Sequence, residues 1–389
     1  MRYNLRHLRV FLAVAETASV TRAAEACRVS QPAVTQALAK LEAALATPLF
    51  TRTPHGLYLN AAGEVFAIRV QRAFSLLDPM LSDVAPRLRL TVTSAQIEAL
   101  IAVRDTENFT LAARRLGLAQ PTVHRAVVQL EHEAGRALFE RTAYGTIATR
   151  LGQSFAQAAR LALSELAQAE AELADVRAEA GGRIVVGAMP LSRSHLLPAA
   201  VVAFQEERPS QSIEVVEGVY QELLSGLRRG DIDVLIGALR YPAPIGDIEQ
   251  EVLFHDTAVM IARPEHPLFE RSHPPSLDDL ACYPWVAGMP ATPIRDHFDR
   301  LFRDNGLTVR NLVQSGSLIL MREILNQTDY LGFVSGGQAR AEISRGLVRA
   351  IDYDLSETRR PIGLTTRKDW LPTHAQSRFL DIVRQRAAS

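Results

Sequence analysis

Apolar residues recur at helical spacing at Val34, Leu38 and Leu41, and Gln31, Thr35, Gln36 and Lys40 fall on the opposite side. That spacing predicts a helix with one buried and one polar face. Ser30 precedes it as an N-cap, and Pro32 lies in its first turn, where a missing N–H costs nothing. A shorter helix before it, capped by Thr21, carries Ala23 and Ala24, small enough for a second helix to cross closely. Residues 49–59 then read as strand, turn and strand, with Arg52 placed for a passing phosphate. An apolar-periodic run from Glu64 to about Val84 predicts a helix broken near Asp78-Pro79, and residues 87–93 alternate as an extended linker or strand does.

The same pattern then returns. Residues 30–42 are echoed at 119–131, and the offset of 89 residues holds without a gap from Leu8 and Ile97 to Gly63 and Gly152. One register kept over that length marks an internal duplication of a small helical unit. In the second copy Gln120, Pro121, Thr122, His124, Arg125 and Arg141 occupy the positions of Gln31, Pro32, Ala33, Thr35, Gln36 and Arg52. A long helix follows from Gln153 to about Ala180, stopped by Gly181-Gly182, with a stripe of Phe155, Ala159, Leu163, Leu166, Ala169 and Leu173. With no sheet beside it, that stripe wants a partner helix. A second chain is one partner, giving a dimer; the helix over residues 64–84 of the same chain is another.

From Arg183 onward strand-like and helix-like segments alternate, which predicts a parallel doubly wound sheet, left near Pro242–Gly246 for a second lobe and rejoined near residue 350. The expected fold is therefore multidomain: two all-α winged helix-turn-helix units at 4–63 and 94–152, linked by 64–93 and 153–180, then a bilobal α/β domain at 183–389. Its first lobe takes 183–257 and 350–389, its second 258–349.

The first copy resembles the DNA-binding domain of LysR-type transcriptional regulators, through Phe11, Ala23-Ala24, Ser30 to Thr35, Leu41-Glu42, Leu49 to Arg52, and Asn60 to Gly63. The likeness extends over nearly the whole chain, with one departure: members of that family usually carry one such unit. It implies a promoter-binding regulator, a dimer-forming linker helix, and an effector domain similar to periplasmic binding proteins. Exposed amides, hydroxyls and cations at the start of a second helix suit major-groove reading. The candidate DNA-binding residues are Thr21, Ser30, Gln31, Pro32, Ala33, Thr35, Gln36, Lys40 and Arg52, with Gln120, Pro121, Thr122, His124, Arg125 and Arg141.

Charge ranks the copies. The net charge is zero, but residues 1–89 carry 11 Lys/Arg against 6 Asp/Glu, and residues 90–180 carry 9 against 11. Ala119 replaces the capping Ser30, and Glu131, Glu133 and Glu140 surround the second reading helix. The first copy is the expected main reader; the second is either a weaker reader, which the joint survival of Gln120, Pro121, Arg125 and Arg141 favours, or a spacer that has lost DNA contact. Cys27 and Cys282 read as core thiols. No Cys/His cluster suggests a metal, no cofactor motif is present, and no stretch spans a membrane, so a cytoplasmic protein is expected; the apolar stripe of the long helix points to a homodimer or higher homo-oligomer.

In the α/β domain, ligands of such sheets sit beyond the carboxyl ends of strands. The candidate effector residues are Ser192, Arg193 and Ser194 after the first strand, Thr292 and Arg295 at one helix start, and Ser315 and Ser317 at another. They favour an anion or a polyol, although Ser and Thr also belong at helix starts as caps. No catalytic constellation is visible. A small-molecule enzyme and a protein-interaction scaffold are the rival functions.

Overall fold

The computed structural model describes residues 3–54, 56–143, 145–177 and 182–388, which form two compact units, Met1–Arg183 and Ile184–Ser389.

In the first unit, each copy folds as three helices and a hairpin. The first has α1 (Leu5–Thr17), α2 (Val20–Cys27), α3 (Gln31–Leu45), β1 (Phe50–Thr53) and β2 (Gly56–Leu59), and leads into α4 (Ala61–Val84). A short α5 (Leu88–Thr91) precedes the second copy: α6 (Ser94–Thr106), α7 (Phe109–Leu116), α8 (Gln120–Ala134), β3 (Phe139–Thr142), β4 (Gly145–Ala148) and then α9 (Arg150–Val176). Residues 178–181, where the sequence predicts the end of the long helix and Gly181 as its stop, lie outside the described residues.

The repeated glycines hold the hairpins in place. Gly56 (φ +144°) and Gly145 (φ +142°) open the second strand of each hairpin, and the following amides donate to the residue capping the first helix: Leu57 to Ala18 O at 3.1 Å, Thr146 to Glu107 O at 3.0 Å. A Cβ on Gly56 would lie 2.4 Å from Ala18 O, too close for any side chain. Glu42 accepts from Leu49 N at 2.8 Å, and its counterpart Glu131 accepts from Leu138 N and Phe139 N at 2.8 and 3.0 Å.

The helix ends are partly as expected. Ser30 Oγ accepts from Ala33 N, while Ala119 gives α8 no side-chain cap. The cap of α2 is Ser19, not Thr21, which lies inside its first turn. Residues 87–93 are not a strand: Leu88 and Val92 face the core one helical turn apart, so α5 forms. Nor does Pro79 break α4. Phe74, Leu77 and Leu81 are buried on either side of it, and Asp78 is held by Arg9 Nη1 at 3.0 Å, so packing outweighs the one lost backbone bond.

The partner of the long stripe is in the same chain. Helix α9 packs on α4, burying Phe155, Ala159, Leu166, Ala169 and Leu173 against Phe66, Val70, Phe74 and Leu77. The stripe therefore leaves no open face for the dimer-forming role the resemblance implied. Arg69 meets Gln168 and Glu172, and Arg72, one turn further along α4, meets Glu165, so the helices run antiparallel. Each linker end also reaches the other copy. Arg87 donates to Glu133 O and His132 O in the last turn of α8 (2.9 and 3.2 Å), and Arg177 donates to Leu45 O at the end of α3 and to Thr47 Oγ1 just past it (3.2 and 2.6 Å).

The second unit begins with β5 (Arg183–Ala188), α10 (Pro190–Ser194), α11 (Leu196–Glu207), β6 (Ser212–Glu217), α12 (Tyr220–Arg229), β7 (Val234–Ala238) and β8 (Ile248–Asp256). It crosses to β9 (Ala258–Ala262), α13 (Leu277–Ala281), β10 (Trp285–Ala287), α14 (Pro293–Asp304), β11 (Leu312–Gln314), α15 (Leu318–Gln327), β12 (Leu331–Ser335), α16 (Gly336–Ser344) and β13 (Arg349–Ala350). It returns as β14 (Arg360–Arg367) and α17 (His374–Ala388). The sheets are β6-β5-β7-β14-β8 and β11-β10-β12-β9-β13. Neither is wholly parallel. β14 runs antiparallel to β7 and β8, and β9 antiparallel to β12 and β13, because the crossing strands enter each sheet from the other lobe. Cys282 is exposed and Cys27 half-buried, so neither is the core thiol its neighbours suggested.

Candidate functional site

Two faces are available for chemistry. On the first unit, Val34, Leu38 and Leu41 point into the core, which turns Gln31, Ala33, Thr35, Gln36 and Lys40 outward. Thr35 Oγ1 donates to Gln31 O at 3.2 Å, and Arg52 is exposed on β1. Helix α8 repeats this: Val123, Val127 and Leu130 are buried, and Gln120, Pro121, Thr122 and Arg125 are exposed, with Arg141 exposed on β3. His124 is half-buried, its ring edge-on to Phe109 at 5.1 Å between centroids, so it is drawn back from the outward face. Thr21 and Pro32 are exposed, and Ser30 serves as a cap. The acidic neighbourhood of α8 is milder than its composition implies. Glu131 is consumed by hairpin amides, and Glu133 accepts from Thr91 Oγ1 at 2.5 Å.

On the second unit, most of the expected effector residues are occupied in the fold. Ser192 is fully buried, and its hydroxyl donates to Met189 O at 2.8 Å within α10, which forms where the sequence suggests a loop. Thr292 caps α14 and donates to Met289 O at 2.8 Å; Ser317 caps α15, and Ser315 Oγ accepts from Ser317 N at 3.1 Å. Arg295 is held by Asp299 at 2.7 Å and Gly288 O at 3.2 Å. Ser194 is half-buried at the end of α10. Arg193 pairs with Glu217, but its Nε is buried without a partner.

A different group stands where the lobes face each other. Arg240, just past the carboxyl end of β7, stacks on the Tyr220 ring at 4.7 Å and forms no ion pair among the described residues. Tyr220 Oη and Arg360 Nε are buried without a hydrogen-bond partner. Burial lowers the affinity of both guanidinium groups for their proton and pushes the Tyr220 phenol up. Asp296 and His297 at the start of α14 face them from the other lobe: Asp296 acts on Arg240, and Arg360 is one of the cations that, after burial, depress the His297 pKa. Sequence reasoning missed these residues, because a lone arginine two residues beyond a strand carries no motif.

Arg360 also touches the hinge. Its Nη2 donates to Asp256 Oδ2 at 3.2 Å, and the same carboxylate accepts from Ser335 Oγ at 2.6 Å and Gly337 N at 2.9 Å. Asp256 ends β8 immediately before the first crossing; Ser335 and Gly337 belong to the other lobe. At the return crossing Thr358 Oγ1 accepts from Ala258 N at 2.9 Å. Among the described residues no cluster of His, Cys, Asp and Glu could hold a metal, and no helix is long and apolar enough to cross a membrane.

The bacterial regulatory helix-turn-helix model of the lysR family matches residues 5–64 and again 94–153, and the LysR substrate binding domain model matches 177–388. The chain belongs to the LysR family of transcriptional regulators. The HTH-type transcriptional regulator GalR of Pseudomonas putida is 34% identical over 386 residues, covering 98% of this chain and 97% of that protein. Among solved structures, a full-length, singly substituted OxyR from Pseudomonas aeruginosa is 21% identical with a TM-score of 0.55, covering 75% of this chain and 97% of its own. Full-length LysG from Corynebacterium glutamicum with bound effector Arg is 22% identical at a TM-score of 0.54, covering 75% and 97%. Both solved chains are matched almost whole while a quarter of this LysR-family chain is left over. The protein is thus a DNA-binding transcriptional regulator with an effector-binding domain, as the sequence resemblance implied.

Proposed function

We propose that this LysR-family regulator reads its promoter with both helix-turn-helix copies of one chain, the first as the principal reader and the second as a weaker one. The observation that carries this is the pairing of α4 with α9. It ties together, within a single chain, two helices α3 and α8 whose Gln, Thr and Arg side chains point outward. Gln36, Thr35 and Lys40 supply base and phosphate contacts in the first copy; Gln120, Arg125 and Arg141 do so in the second. Half-sites about one helical turn apart suit such a pair. Any homo-oligomer forms through surfaces other than the α9 stripe. The bilobal domain takes a small anion or polyol and shifts the balance between lobe arrangements through its differential affinity for them.

The test is a gel shift on fragments of the chain's own genomic neighbourhood. A retarded complex whose affinity falls steeply with salt supports DNA reading. Binding to protein partners without DNA retardation supports the scaffold alternative, and turnover of a bound small molecule supports the enzyme alternative.

A further inference from the structure

We infer that the effector is anchored by an anionic group, a carboxylate, held by Arg240, Arg360 and Tyr220, and that Arg360 passes its binding to the hinge through Asp256. This rests on the bilobal effector reading above and names the ligand class and the coupling residue within it.

Three observations converge. The first is unspent donor capacity. Arg240 makes no ion pair among the described residues, although Asp296 faces it from the other lobe, Tyr220 Oη is buried with nothing to bond, and Arg360 uses Nη2 on Asp256 while its Nε is buried and unmatched. A buried donor left unpaired is costly, and native proteins retain few of them. A carboxylate has two oxygens and several lone pairs, enough to accept from two guanidinium groups and a phenol at once. The second is electrostatic. Both guanidinium groups are partly desolvated, which outweighs the help of Asp296 at Arg240 and of Asp256 at Arg360, and Arg240 adds like charge at Arg360, a place that an anion relieves and a neutral polyol does not. The third is location. Arg240 follows the carboxyl end of β7, and β14, antiparallel to β7, brings Arg360 to the same edge.

The coupling follows from the other side of Arg360. Asp256 spreads its two oxygens over Arg360, Ser335 Oγ and the amide of Gly337, joining the lobe that carries β14 to the start of α16 in the other. An anion that draws the Arg360 guanidinium toward Arg240 weakens its hold on Asp256 and frees that carboxylate to bind Ser335 and Gly337 alone. The lobe angle then depends on whether the anion is present.

The experiment uses the full chain and matched probes: succinate, 3-hydroxybutyrate and 3-hydroxybenzoate, each beside its uncharged amide. Thermal shift and calorimetry should show stabilisation by at least one carboxylate and not by its amide. Arg240→Met and Tyr220→Phe should weaken that carboxylate, the arginine variant by roughly ten- to hundredfold in Kd. Ser335→Ala and Asp256→Asn should bind it but lose its effect on promoter affinity. The inference is overturned if carboxylates stabilise no more than their amides, or if Arg240→Met binds the carboxylate as tightly as the wild type. Neutral compounds that stabilise both wild type and Arg240→Met equally would keep the effector domain and remove the anion site. A ligand effect that survives Ser335→Ala and Asp256→Asn would remove the coupling.

Discussion

Arg69 in α4 donates through Nε and Nη2 to both carboxylate oxygens of Glu172 in α9, at 3.0 and 2.9 Å, in a fork-to-fork pair. Its Nη1 donates to Glu165 Oε2 and Gln168 Oε1, and the guanidinium is wholly buried. The network is not repeated by the duplication. The position 89 residues after Arg69 is Ala158, and the residues equivalent to Glu165 and Gln168 are Leu76 and Pro79. Pairing α9 with another α9 would bury acidic groups with no cation opposite them. The charges thus favour unlike linker helices over like ones, a specificity use of buried ion pairs.

Arg69→Met is expected to destabilise the first unit by about 3–5 kcal/mol, since Glu172 would lose its guanidinium partner and Glu165 would keep only Arg72. Adding Glu165→Leu and Glu172→Leu should recover most of that loss. The triple variant should also self-associate more readily, because the buried charges no longer disfavour pairing α9 with another α9. Denaturant titration and light scattering measure the two effects.

Charge introduced at Leu166 is expected to unfold or loosen the first unit rather than split a dimer, because that side chain is buried between α4 and α9 of one chain. Circular dichroism and size measurement of Leu166→Glu distinguish these outcomes. Unaltered stability with a halved mass would mean that the stripe is a surface between chains.

Ala119→Ser should stabilise the second copy by about 1 kcal/mol, restoring the hydroxyl acceptor that Ser30 gives α3. Thermal unfolding of the full chain measures the gain.

His266 is fully buried. Leu268 N donates to its Nδ1 at 3.2 Å, and its Nε2 lies 3.2 Å from Asp329 O, an arrangement that suits the neutral ring with Nε2 carrying the proton. Burial lowers its pKa below 6.5, with Asp329 opposing the shift. A depressed folded pKa means that the unfolded chain binds the extra proton first. The contribution is therefore complete above pH 6.5 and is lost as the pH falls through that value toward the folded pKa. Melts between about pH 5 and 7.5 should show this loss, and His266→Gln should flatten it.

What can be read from the chain depends on whether a feature repeats. The offset between the copies exposes the helices, hairpins and outward-facing residues, because each copy checks the other. Pro79 and residues 87–93 mislead because local rules point one way where the packing of Phe74, Leu77, Leu88 and Val92 decides the other. Ser192, Thr292 and Ser317 look like ligand contacts because a cap and a contact share the same side chains. Arg240 and Arg360 stand 120 residues apart in the sequence and come to the same edge of the sheet only because β14 returns antiparallel beside β7.

The central claim is that two unlike copies in one chain read two adjacent, unlike half-sites. The direct measurement is base-resolved footprinting of the promoter by the wild type, by Thr35→Ala with Gln36→Ala, and by His124→Ala with Arg125→Ala. The first pair should erase protection in one half of each adjacent pair, at a cost of about 1–3 kcal/mol for each well-formed hydrogen-bond pair to a base that it removes. The second pair should cost less and erase only the other half. Both halves weakening together in either variant would contradict the account.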